Sequence, residues 1–574
     1  MQYASLIMKR MKWLLIVGVV SSLSSFATTL PIDEAVLNFT QVMFEFDEKP
    51  GADTYILTLI PAKAAMMKKA RYVNKSLACL VTEDIEFGKR YGWYYEAFKN
   101  GKPVFRSQVY HFSVAKHPLV GSNYRYNIIT KETGKFSDGL VYIESLGVAI
   151  NRSGQPVWYL PFDTGSAFKM PQYRNLEMTK EGTVTALQGE QAFEKNLYGE
   201  LLWKAPDNGA VSGDGKEHYH HDFAKMDDGT YVVCSYKWDT TMHFYHDTVV
   251  TRVRYNSVIQ YNPFGEVLWS WNEKEHVNKS EIFTIYKQPD AEVAGTHMNG
   301  FSYDKKTNSF LFSFRDNSSV LRVDKATGNV LYSLKGADGP IEFHSQHSPV
   351  VLEDGSVLIY NNNAGFNQDS GKITYPSILN VLVPTGNGVA KKIWEYECKM
   401  KQYPLGLIGK EGYASELPNK NLLVCIGGAN KIFELSRAKQ ITWEMNCEEL
   451  NQAGQWTGFN NYRAHFSSSL YPHYFTIQNV AGDTILTAGK PIHVKLNNDG
   501  TEADEFKIEV FSNNLLNNYS TVVKLKPQSS ITKKILLAKK SAAKTKNDPD
   551  NFVVVSINSV SNPAAVKTIT YIFK

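Results

Sequence analysis

The sequence predicts an all-β protein: a six-bladed β-propeller flanked by an N-terminal fibronectin III or immunoglobulin-like β-sandwich and a C-terminal β-sandwich. Three observations predict it. Of 574 residues, 13% are aromatic and 39 are glycine, the balance of a chain made of short strands and tight turns. An aromatic residue closes an apolar strand six times, at Trp158, Trp203, Trp269, Tyr332, Trp394 and Trp443, at separations of 45 to 66 residues. Periods of that length, each holding several alternating strands and Asp-Gly or Asn turns, mark propeller blades, and the longer ones leave room for loop insertions. Finally, histidines recur at one register position in three consecutive repeats.

The elements follow in chain order. Residues 1–27 read as an export signal: Lys9, Arg10 and Lys12 precede the apolar run from Trp13 to Val20, with small residues Ser25 and Ala27 at the cleavage positions. The run is too short to span a bilayer and no other stretch reaches that length, so the expectation is a soluble, exported, periplasmic protein. Residues 28–116 alternate as strands, with Tyr55, Leu57 and Leu59 on one face, then Tyr91, Trp93 and Tyr95, the pattern of the first sandwich. Residues 117–470 hold the six markers. The first marker has too little chain before it for a whole blade, whereas NYRAHFSSSL (461–470) follows the last with no marker of its own. That strand is expected to complete the first blade and so remove an exposed sheet edge. Residues 471–574 alternate again in FKIEVF, FVVVSI and VKTITYIF, the expected second sandwich.

Charge and cysteine content exclude some functions. A net charge of +5 over this length does not point to nucleic acid. Five cysteines are a sparse and odd set without CxxC or Cys/His zinc spacing. Cys398 and Cys447 occupy similar places in two repeats, which reads as a reused packing position.

The chemistry gathers on histidine. His221 stands five residues before Met226, His297 five before Ser302 and His347 five before Leu352, each segment running into a turn. In strands that alternate faces, equal spacing back from a turn sends the three imidazoles the same way, into a common cavity if the repeats surround an axis. Asn299, two residues after His297, shares its face in a regular strand. Arg315 lies on the returning strand and offers a planar fork of donors suited to a tetrahedral oxyanion; an ion pair with Asp316 is the plainer reading of it. His218, His220, His344, His465 and His473 read as satisfied or surface residues.

Taken together, HHDFAKMDDG, HMNGFSYD with SFRDNSSVLRVDKATGNVLYSL, QHSPVVLEDGSVLIYNN, EGYASELPNKNLLV and the closing YRA resemble the bacterial arylsulfate sulfotransferases of the arylsulfotransferase family. The resemblance spans most of residues 140–466. It implies a six-bladed propeller that moves a sulfuryl group from a phenolic sulfate ester to a phenolic acceptor, through a sulfated histidine, without a nucleotide donor, cofactor or metal. Carried over by motif, His347 of QHSP matches the nucleophile; His221, His297, Asn299 and Arg315 match the sulfate-binding set; Ser415 near GYAS is the corresponding hydroxyl residue. Some members carry a cysteine pair in the loop before the nucleophile, and Gly336–His344 holds none. The partners implied are small molecules, an aryl sulfate and a phenol, with no nucleic acid and no membrane span; a homodimer is compatible with this. Two other readings stand beside it. Three histidines with Asp222 could hold Zn or Mn in a metal-dependent lyase or hydrolase, and a non-catalytic propeller could bind a sulfated or phenolic ligand or a protein.

Overall fold

The computed structural model describes residues 29–573, except 62–69, 119–122, 163–170, 240–242, 246–247, 251, 277–292, 338, 364, 368–371, 400–410, 481, 483, 487–489, 513–518 and 537–551. The expected export signal lies outside the described residues. The protein is all-β: among the described residues the only α-helix is the single turn Glu273–His276. None of these residues forms a helix long and apolar enough to cross a membrane. The chain separates into two compact units, one of the residues up to Lys116 with those from Tyr471 onward, the other His117–Leu470.

In the first unit, the N-terminal part forms a six-stranded sheet and the pair Val42–Glu45 with Ala78–Val81. Their shared core is aromatic, with Phe44 edge-on to Trp93 at 5.0 Å and Phe46 stacked on Tyr95 at 5.0 Å. The C-terminal part forms a three-stranded and a five-stranded sheet. Alternation in both turns Ile477, Val494 and Leu496 of one and Phe506, Ile508, Val510 and Val555 of the other into one buried core. The two parts, read from sequence as separate sandwiches, are joined inside this unit: Ser76 Oγ lies 2.8 Å from Thr476 Oγ1, and Lys567 Nζ 2.6 Å from Glu45 Oε1.

The second unit is a succession of six antiparallel sheets, each built on four strands. The first comprises Leu140–Ile143, Val148–Asn151 and Pro156–Tyr159, and Ala464–Ser467 from the end of the unit pairs with Leu140–Ile143, as the sequence led us to expect. The second runs from Tyr173 to Lys204, the third from Phe223 to Asn272, the fourth from Met298 to Lys335, the fifth from His347 to Glu397 and the sixth from Tyr413 to Leu450. Each sheet touches the next through its first two strands, and Leu422–Ile426 of the sixth returns to Ala464–Ser467 of the first. Apolar seams fill these junctions. Between the fourth and fifth sheets, Leu311, Val320 and Leu334 meet Val357, Ile359, Leu379 and Val381.

The recurring aromatic residue has a physical purpose. Each lies on the fourth strand of its sheet, where an indole N–H can reach the turn between the third and fourth strands of the following sheet. Trp158 donates to the Leu197 carbonyl (2.8 Å), Trp394 to Arg437 (3.1 Å), and Trp443 to Arg152 (2.8 Å), the last carrying the series from the sixth sheet back to the first. In the fourth sheet the Tyr332 hydroxyl accepts from the Ala390 amide at 3.2 Å. In the second, Trp203 stacks on Tyr231 at 3.8 Å. The third sheet differs from expectation: Trp271, not Trp269, makes the bond, to Gly328 (3.1 Å), while Trp269 stacks on Phe310. A strand alternates faces, so residues two apart share a side, and spacing alone does not select between them. All five cysteines are free thiols; Cys398 and Cys447 are buried in packing positions.

Candidate active site

His221, His297 and His347 stand at the entrances of the first strands of the third, fourth and fifth sheets. The structure brings them together, though not by regular alternation. His221 and His297 have positive φ (55° and 58°), and His347 lies between Ser345 and Ser348, both also at positive φ. Pairing slips between Met298 and Gly300 and again between His347 and Val350. Left-handed residues in all three segments, joined by slipped pairing in the fourth and fifth sheets, turn three rings toward one place. Local bulges of this kind re-aim side chains next to sites.

His221 and His297 meet edge to face, Nε2 to Nε2 at 3.3 Å, and His220 Nδ1 lies 2.9 Å from His221 Nδ1. Tyr462 stands between the histidines, its ring 6.1 Å from that of His221 and 5.7 Å from that of His347. His347 is engaged on its Nδ1 side, 3.2 Å from the Ser345 carbonyl and 2.6 Å from Asn362 Nδ2. Asn362 in turn donates to the carbonyls of Ser345 and Glu411, both at 3.0 Å. These contacts leave Nε2 as the ring nitrogen for chemistry.

Electrostatics disfavour the charged forms of His347, His221 and His220. Burial first, then Arg315, Arg463 and the neighbouring His297, hold the His347 imidazole well below the usual histidine pKa. Burial and the neighbouring imidazoles do the same for His221, and burial with Arg254 lowers His220 to about 3. Because the shift of His347 is downward, its neutral form persists as pH falls through 6.5 and is lost only in stronger acid. The expected result is that the His347 ring ¹⁵N signals stay at their neutral positions from pH 7.5 to 6, about the range over which an unperturbed imidazole would protonate. Movement of those signals with a midpoint near pH 6.5 would show that His347 is solvated.

Arg315 donates to Asp316 Oδ1 at 2.8 Å, and Asp316 Oδ2 lies 3.5 Å from His297 Nδ1. The ion pair suspected from sequence is therefore present, but it ties Arg315 to the cluster. Burial raises the Asp316 pKa, yet its bonds to His297 and Arg315 prevail and hold it below the usual carboxylate value. The side chains of His297 and Arg315 are 29% and 31% exposed, so both can meet a ligand.

Asn299 departs from expectation. The slip in pairing turns it inward, where it is wholly buried and its amide donates to the Gln346 carbonyl at 2.7 Å, one residue before His347. Ser415 sits on the first strand of the sixth sheet, hydrogen-bonded to Tyr413 rather than to the histidines. Asp222, the fourth ligand of the metal reading, is already occupied: Oδ1 accepts from Arg463 Nη1 (2.9 Å) and the Phe223 amide (3.1 Å), and Oδ2 from the Phe301 amide (2.9 Å).

Sequence reasoning missed Arg463, Tyr462, Asn362 and Arg174, whose guanidinium lies 5.4 Å from the centre of the Tyr462 ring. Arg463 and Tyr462 were visible as YR immediately before the closing strand, an arginine where a strand entering a core has no ordinary place for one.

No curated protein matches the chain. Among solved structures it is similar to a protein of unknown function from Bacteroides caccae (15% identity, 57% of this chain and 94% of that one, TM-score 0.32). It is also similar to an auxiliary nutrient binding protein from Bacteroides ovatus (11%, 79% and 92%, TM-score 0.31). A third is the Cps50 (Swd1) β-propeller domain of Myceliophteria thermophila (11%, 60% and 98%, TM-score 0.30). Residues 126–340, which include His221, His297, Asn299 and Arg315 and end before His347, match the family model described as Arylsulfotransferase (ASST). Over those residues the chain is similar to the arylsulfotransferase family.

Proposed function

We propose that the protein is an arylsulfate sulfotransferase whose six successive sheets are the blades of a propeller, with two β-sandwiches in the other unit, acting in the periplasm after export. The observation that carries the reading is the convergence of three imidazoles from three sheets beside the Arg315 guanidinium, with Nε2 of His347 left for reaction. His347 is the nucleophile. With its proton on Nδ1, accepted by the Ser345 carbonyl, Nε2 carries the lone pair that attacks sulfur as the S–O bond to the aryl group breaks. The phenolate leaves and takes a proton. His297, with a carboxylate 3.5 Å from its Nδ1, is the imidazole placed to supply it, and His221 is held neutral beside it. An acceptor phenol then gives its proton back to that base and attacks sulfur, and the N–S bond breaks. Arg315 supplies donors to the sulfuryl oxygens as charge shifts onto the leaving oxygen.

Such a sequence has two half-reactions. Mixed with an aryl sulfate and no acceptor, the enzyme is expected to release about one phenol per active site and to gain one sulfuryl group on the peptide containing His347, and double-reciprocal plots with both substrates should be parallel. No phenol without acceptor, together with intersecting plots, would replace this scheme by direct transfer between two bound aryl groups.

A further inference from the structure

Arg463 is a buried side chain of the second unit, 2% exposed, and it lies outside every strand, one residue before the strand that completes the first sheet. Its contacts reach four sheets. The backbone amide donates to Glu144 Oε1 of the first (2.7 Å). Nη1 donates to Asn175 Oδ1 of the second (2.9 Å) and to Asp222 Oδ1 at the start of the third (2.9 Å). Nη2 donates to the Asn299 carbonyl of the fourth (2.9 Å). The partners in the third and fourth sheets adjoin the histidines: Asp222 follows His221, and Asn299 is two residues from His297. Asn299 carries the connection onward, because its side-chain amide holds the carbonyl of Gln346, the residue before His347. Gly300 lets the backbone approach this closely, since a Cβ there would lie 3.1 Å from Asp222 Oδ2, 3.2 Å from Arg463 Nη2 and 3.2 Å from Ser348 Cα.

We infer that Arg463 is a positioning residue for the proposed transfer: one buried guanidinium fixes the segments carrying His221, His297 and His347 against each other and so sets the spacing of the cluster. The inference rests on the sulfotransferase reading for its kinetic consequence but not for its geometry. A planar fork suits the task. Its two terminal nitrogens bond in different directions at fixed separation, which the single ammonium of lysine does not reproduce. Misplacement of reacting groups by about 1 Å costs on the order of a hundredfold in rate.

The test is Arg463→Lys, which retains the charge and removes the fork, with Asp222→Asn as an isosteric second variant that weakens the same hub from its other side. In folded protein, judged by an unchanged circular dichroism spectrum, kcat is expected to fall by about a hundredfold while KM for the aryl sulfate stays within about threefold. The imidazole ¹H–¹⁵N signals of His221, His297 and His347 should move, with those of His111 and His473 in the other unit serving as controls. If Arg463→Lys does not fold, Asp222→Asn carries the same two readouts. Wild-type kinetics and unmoved histidine signals in a folded variant would overturn the positioning role. Failure of the wild-type protein to release phenol from an aryl sulfate would instead remove the sulfotransferase reading, and the histidine spectra would still decide the geometry.

Discussion

His347→Ala is expected to abolish sulfuryl transfer, by at least about a thousandfold in kcat, while leaving a folded protein. The ring supplies the attacking lone pair in the proposed scheme, and neither His221 nor His297 can replace it: they pair with each other through Nε2 and lack the Ser345 and Asn362 contacts on Nδ1. The structural cost is small by comparison. Removing a hydrogen-bonded polar ring at the entrance of a strand costs about 1–2 kcal/mol, well within what a large domain tolerates. The check is phenol release and mass spectrometry on the variant beside its circular dichroism spectrum. Appreciable turnover in folded His347→Ala would move the nucleophile elsewhere.

Trp443→Ala is expected to give the largest loss of stability among single substitutions in the second unit, about 3–5 kcal/mol. The indole is fully buried, donates to the Arg152 carbonyl and packs 4.6 Å from the Arg152 guanidinium, itself paired with Glu434 at 2.6 Å. This is the junction at which the sixth sheet meets the first, so a cavity there loosens the closure of the whole series. Trp443→Phe retains most of the apolar surface and loses the hydrogen bond, at about 1–3 kcal/mol. Urea denaturation of the two variants separates these contributions. Equal and small losses would mean that the junction is held elsewhere.

What could be read from the sequence follows from which interactions are periodic. Strand alternation and the fourth-strand aromatic repeat because every sheet solves the same packing problem, and the segment 461–470 was identifiable as completing the first sheet because the first repeat was visibly incomplete; the structure pairs its strand Ala464–Ser467 with Leu140–Ile143. The histidines were found by register, although the alternation invoked for them does not operate: left-handed residues and slipped pairing turn them together. That same irregularity defeated the placement of Asn299, which a regular strand would have put beside His297 and which instead supports Gln346. Asn362 and Arg463 act through contacts between sheets distant in sequence, and no spacing rule brings residue 463 beside residue 222. Asp222 looked like a ligand because adjacency to His221 shows in a sequence, whereas its partner does not.

The placement of Arg463 beside the closing strand bears on how the protein matures. All three histidines are present in a chain that ends before Asn461, but such a chain lacks both the strand that joins the first sheet and the guanidinium that binds the histidine-bearing segments to one another. The two arrive together, as neighbours in sequence, at the end of the unit. In the proposed scheme, competence is thereby tied to completion: a chain ending before Asn461 would carry His347 without the guanidinium and the closing strand that fix its surroundings.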